Sequence, residues 1–236
     1  MPAERGGMMR RFQFVAAATA AATVAFSRAA DAQMMMATPA PLSGQADAQE
    51  AKFIAQASRF LHERYPSPAS AKRAGFVEFT AEDRTGAISW ANSQWTSTDA
   101  DHPSQVWYDA GGRLIGADYS VLQTDSPQAP RLWGIDPRRW IKIPAHIHYG
   151  IRQPDGSVKY GGVGATRWAA GGGAISSPTK QVLVNMGLAK SAEDVAFVFY
   201  FPAIWDLQFW VIPNPDGAFA ERNPNVIPRH AEGHPS

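Results

Sequence analysis

Apolar residues recur at helical spacing only near the start of the chain and at a spacing of two over most of the remainder. Phe53, Ile54, Ala57 and Leu61 share one helical face, which predicts an amphipathic helix of about four turns ended at Tyr65-Pro66. Ser67 as N-cap, Pro68 at the first helical position and Gly75 as the stop predict a second, short helix. From Phe76 the alternation predicts strands over 76–80, 88–96, 105–108, 114–122, 131–135 and 140–152. Asp109-Ala110-Gly111-Gly112 and Pro154-Asp155-Gly156 predict hairpin turns, the second leading into a strand over 158–161. The glycine-rich stretch 161–173 reads as a loop, Ser177-Pro178 opens a third short helix that Gly187 stops, and 207–212 reads as a final strand. The continuous apolar run 195–201 suits a buried central strand.

Many short strands, with helices near the N-terminus and in one late insertion, predict a mainly β fold. The expected architecture is a single antiparallel β-barrel or sandwich with short peripheral α-helices. Residues 1–32 carry Arg10-Arg11, an alanine-rich apolar stretch and Ala30-Asp31-Ala32, the pattern of a cleaved signal peptide. Export to the periplasm or beyond is therefore expected, with the general secretory and twin-arginine routes both open. Residues 33–46 read as a disordered leader, 47–229 as the β-rich domain and 230–236 as a flexible tail. The formal charge is +1, and it becomes −1 without residues 1–32, which hold four basic and two acidic groups. Such a balance gives no general attraction for nucleic acid or anionic lipid. No stable membrane span is expected once the leader is gone. The absence of cysteine excludes disulfides, thiolate catalysis and Cys-based metal sites. A metal would have to be held by His, Asp, Glu or backbone oxygen.

His146 and His148 lie in a strand pattern whose apolar face is Ile141, Ile143, Ala145, Ile147, Tyr149 and Ile151. Side chains at i and i+2 share a face, about 7 Å apart along the strand, so two imidazoles there can reach one cation. Lys142 and Arg152 fall on the same expected face, which also fits an ordinary strand whose polar face is solvated or hydrogen-bonded. Pro144 just before the pair predicts an edge or a bulge. Asp118 and Asp206 are the carboxylates that could complete a shell for a divalent metal (Zn, Fe, Mn or Cu). Glu78 is a weaker candidate, while His62, His102, His230 and His234 fall on a helix surface, a loop and the tail. Eight tryptophans fill a core or line a cavity for a small apolar ligand, with Trp107, Trp210, Gln208 and Tyr149 as candidate contacts. Sugar binding is a further use of such a lining. No hydrolase elbow or phosphate-binding loop is present.

The His146-x-His148 pair followed by a turn at Gly156 resembles the first half of a cupin metal motif. Arg152 and Gln153 stand where that motif has a glutamate, and Gln208 stands where a later histidine is wanted. A longer set is similar to a family of secreted bacterial proteins of unknown function. It comprises Tyr65-Pro66-Ser67-Pro68, Ala74-Gly75-Phe76, Gly112-Arg113-Leu114-Ile115-Gly116, His146-x-His148, Trp205-Asp206-Leu207, Pro213-Asn214-Pro215-x-Gly217-x-Phe219 and Asn223-Pro224-Asn225-Val226. That resemblance implies export and a shared domain, with no reaction attached. Three roles remain open: a metal-binding protein, enzymatic or not; a non-enzymatic binder of a small molecule; and a homo-oligomeric envelope protein.

Overall fold

Local signals at the N-terminal end fix where the fold begins. In the computed structural model, which describes residues 42–92, 94–95 and 99–229, the first helix among the described residues is α1 (Ala48–Arg64). The expected signal peptide, residues 33–41 of the leader and the tail lie outside the described residues. Asp47 caps α1 by accepting the Gln49 and Glu50 N–H groups, and the Glu50 carboxylate returns to the Asp47 N–H. Phe53, Ala57 and Leu61 bury the apolar stripe, as the spacing requires. Glu50 lies on the same buried side because Arg139 meets it at 3.0 Å. The remaining Arg139 donors reach the carbonyls of Leu42 and Gln45, so residues 42–45, expected to be loose, are tied to the fold. A second helix, α2 (Pro68–Arg73), starts at Ser67 and is left behind at Gly75, whose φ of 89° suits glycine.

Nine strands come next: β1 (Val77–Glu78), β2 (Ile88–Ala91), β3 (Gln105–Tyr108), β4 (Leu114–Leu122), β5 (Ile141–Ile143), β6 (His146–Arg152), β7 (Val158–Gly164), β8 (Val195–Phe201) and β9 (Ile204–Trp210). Two short helices, α3 (Ala165–Ala170) and α4 (Lys180–Asn185), separate β7 from β8. One antiparallel sheet runs β1-β2-β3-β4-β9-β5 and the other runs β7-β6-β8. Both are open, so the fold is a sandwich-like pair of sheets rather than a closed barrel. No helix among the described residues is long and apolar enough to cross a membrane.

One bent ribbon joins the two sheets. Ile143 pairs with Ile204 in the large sheet, and His146 pairs with Phe201 in the small one, in unbroken register. The corner consists of Pro144-Ala145 on one strand and Pro202-Ala203 on the other. Proline lacks the N–H that a continuing ladder needs, so the ladder stops there and resumes in the other sheet. The expected single strand over 140–152 is therefore two strands. Side-chain direction changes phase at the corner: Ile143 packs in the Phe79, Phe201 and Ile204 cluster, whereas Ile147 packs against Trp168 and Leu183. The single apolar face expected from Ile141 to Ile151 does not exist.

Alternation then sorts the layers. Val106, Tyr108, Ala117, Tyr119, Leu207 and Phe209 cover one face of the large sheet and pack on Phe53, Ala57 and Leu61 of α1. The opposite face holds Asp118, Ser120, Ile204 and Asp206, and its Ile204 end meets Phe201 of the small sheet. Behind the small sheet, Ile147, Ile151 and Val163 pack on Trp168, Val182 and Leu183 from α3 and α4.

Four further expectations are corrected. Residues 131–135 form a turn, with Trp133 and Gly134 both at positive φ (56° and 76°) and the Ile135 N–H on the Leu132 carbonyl. The strand expected over 88–96 ends at Ala91 because the Asn92 side chain takes the Gln94 N–H and donates to the Ala74 carbonyl. The expected loop at 161–164 is strand instead. Its glycines leave room for rings, since a Cβ on Gly161 would sit 2.4 Å from the Tyr149 hydroxyl. Finally, β8 is a half-buried edge strand, and β6 is the central strand of its sheet.

Candidate functional site

The two residues after the corner on alternate positions of β6 are His146 and His148. Both are buried, at 5% and 6% exposure, so they do not face solvent, and both are hydrogen-bonded. Their Nε2 atoms are 2.9 Å apart. The Nδ1 of His146 lies 2.8 Å from the Pro144 carbonyl, which accepts only from an N–H. That contact fixes the proton on Nδ1 and leaves a lone pair on Nε2, which the Nε2–H of His148 then meets. The corner thus supplies the carbonyl that sets the tautomer. Aromatic rings enclose the pair: Phe79 at 4.5 Å from His148, Phe199 at 5.4 Å from His148, and Phe201 stacked 5.5 Å from His146. Burial lowers the basicity of His146, partly offset by the Pro144 carbonyl. Burial lowers that of His148 well below the usual imidazole range, with His146 adding to the effect. Both imidazoles are neutral near pH 7, the form that ligates metals. The cations expected on the same face lie elsewhere. Lys142 sits over the Trp205 ring, and Arg152 holds the Glu193 and Val195 carbonyls.

Asp118 and Asp206 belong to a second cluster. Cross-strand register puts Asp118 opposite Gln208 and Ser120 opposite Asp206, all on one face of β4 and β9. Asp206 accepts from the Ser120 hydroxyl at 2.7 Å and from the Gln208 amide at 3.1 Å. Ser120 is also 2.5 Å from the buried Ser104 hydroxyl. Asp118 accepts from the Trp107 indole at 3.1 Å, while its Oδ1 is buried and without a hydrogen-bond partner. Burial pushes Asp206 up to about 6, with the Ser120 and Gln208 hydrogen bonds pulling it back. Burial, then the charge of Asp206, holds Asp118 well above the ordinary carboxylate range. Both carboxyls thus hold their protons to higher pH than exposed ones do, with burial as the main cause. Among the described residues, no group of three or more His, Asp or Glu is arranged to hold a metal ion, so the four expected ligands are not one shell.

The expected ligand contacts are also dispersed. Trp107 and Trp210 meet edge to face at 5.6 Å over Gly116, and Trp210 donates to the Ala220 carbonyl. Gln208 is exposed above Asp206. Tyr149 lies over Gly161 among the residues that pack on α3 and α4, on the other side of β6 from the histidines. Glu78 accepts from the Tyr160 hydroxyl and so links β1 to β7. His62 and His102 are outward on Ser58 and Asp99, and His230 and His234 lie outside the described residues.

Sequence reasoning missed the aromatic enclosure of the histidines and the Ser104–Ser120 link. The phenylalanines at alternate positions 197, 199 and 201 are the available signal, because they mark one face of a strand that is otherwise apolar at every position. Comparison with protein-family models, curated proteins and solved structures finds no match to this chain.

Proposed function

We propose that this is an exported β-sandwich protein that holds a transition-metal ion between Nε2 of His146 and Nε2 of His148. The observation carrying this reading is the convergence of two neutral, buried imidazole nitrogens at 2.9 Å, one tautomer being fixed by a backbone carbonyl. Histidines that bind metals characteristically donate their second N–H in this manner. Without a carboxylate in the group, the donor set favours ions that accept imidazole, such as copper or zinc, over manganese. The ion takes the place of the shared proton, which moves to Nδ1 of His148. Two ligands leave positions for a third donor from outside the protein.

Metal content of the untagged full chain, measured by mass spectrometry after incubation with zinc or copper, tests this. The expected result is near one ion per chain, lost in His146→Ala and in His148→Ala, with circular dichroism showing that both variants fold. An ion-free parent, or a parent whose ion survives both substitutions, overturns the proposal.

A further inference from the structure

A groove of about 610 Å³ runs beside α1, on the opposite face of the large sheet from the histidines and the carboxyl pair. Its apolar surface comes from Phe53, Phe60 and Trp133. Trp133 is held in the left-handed region (φ 56°), the only non-glycine residue among those described with a positive φ. An L-residue adopts this region only against steric repulsion of its Cβ. Packing enforces it: the indole stacks on Phe53 at 5.0 Å and 3°, with Tyr119 against it edge-on at 5.4 Å. Strain that presents a half-buried indole to a groove is a recurrent mark of a binding site.

The polar lining defines the ligand. Lys52 and Arg59 are offset by Glu63 and Asp101, and Gln56 supplies an amide between them. A balanced rim gives no net attraction for a charged ligand. It does alternate donors with acceptors, which matches hydroxyl groups, since each of these both donates and accepts. An apolar ring platform under such a rim fits the flat C–H face of a pyranose. We propose that this groove binds a neutral carbohydrate stacked on Trp133.

The test is titration of the full chain with cellotriose, maltotriose, xylotriose and N,N′-diacetylchitobiose, followed by saturation-transfer NMR and calorimetry. Benzoate and benzylammonium serve as charged aromatic probes. At least one sugar is expected to saturate with a Kd below about 1 mM. Trp133→Gly, which suits the left-handed turn, weakens that binding at least tenfold. Gln56→Ala, on an exposed helical position where alanine is well tolerated, weakens it about threefold and decides the matter if the first variant does not fold. Failure of all four sugars to saturate, saturation unchanged by the foldable variants, or binding of the charged probes alone overturns the proposal.

Discussion

Replacing Asp206 by Asn isolates the cost of a buried carboxylate. In the native protein its pKa is raised from 3.8 to about 6, chiefly by burial. At about 1.36 kcal/mol per unit, this amounts to roughly 3 kcal/mol. The sign depends on which state holds the proton. Folded Asp206 keeps its proton above the pH at which the unfolded chain loses it. Its contribution is therefore fully present below about pH 3.8 and is lost as pH rises through about 6. Asparagine is neutral throughout and retains an oxygen for the Ser120 hydroxyl. Urea unfolding of parent and variant near pH 4 and near pH 7.5 gives the comparison. The stability of Asp206→Asn relative to the parent should rise by about 2 kcal/mol between the two conditions, since the unfolded chain is already more than half ionised at pH 4. Asp118 contributes in the same direction, and removing its charged neighbour eases its own ionisation. Carboxylates with lowered pKa, such as Asp136 at about 2, titrate below this window and are common to both proteins. A relative stability independent of pH would refute the assignment of a raised pKa to Asp206.

Three further outcomes rest on ion pairing and packing. Glu50→Ala strands the Arg139 guanidinium, 5% exposed, without its carboxylate. It should cost about 3–5 kcal/mol by urea denaturation, whereas Arg84→Ala, breaking the exposed pair with Glu221, should cost no more than about 1 kcal/mol. Gly116→Ala would put a methyl 2.0 Å from the Trp107 ring, displacing the indole from Asp118. A loss of about 1–3 kcal/mol is expected, together with an altered near-ultraviolet dichroism spectrum; an unchanged spectrum would show that the ring is not fixed there.

Much of the framework is legible in the sequence because it is local. The Asp109–Gly112 turn and the strands on either side of it, β3 and β4, depend on residues adjacent in the chain, and their predicted limits are those observed. The caps of α2 are equally plain. The features that cannot be read this way depend on distant partners. The period-two count across 140–152 assumes one flat strand, and only pairing with residues more than 50 positions away shows that Pro144 turns a corner. Arg131-Leu132-Trp133 has strand composition, yet stacking on Phe53 overrides it and holds Trp133 in a turn. Spacing identifies the histidines but not their burial, because the enclosing Phe79 comes from the segment just after β1 and Phe199 from β8. The carboxylates stand out as misplaced charges in apolar strands. That they serve each other and not the histidines is a matter of sheet assignment, which a one-dimensional pattern does not contain.

The ribbon that turns at Pro144 and Pro202 also acts as an error check during assembly. Each of its strands contributes pairs to both sheets, in one register from Ile141↔Asp206 to Gly150↔Phe197. A slip of one residue inverts a strand's side chains, so here it would expose Ile204 and Asp206 in one sheet and Phe199 and Phe201 in the other at the same moment. A misaligned chain therefore loses both interiors together, and no partly correct product gains from half of the alignment. Selection on either buried cluster protects the other, which makes this hairpin the segment where sequence drift should be slowest.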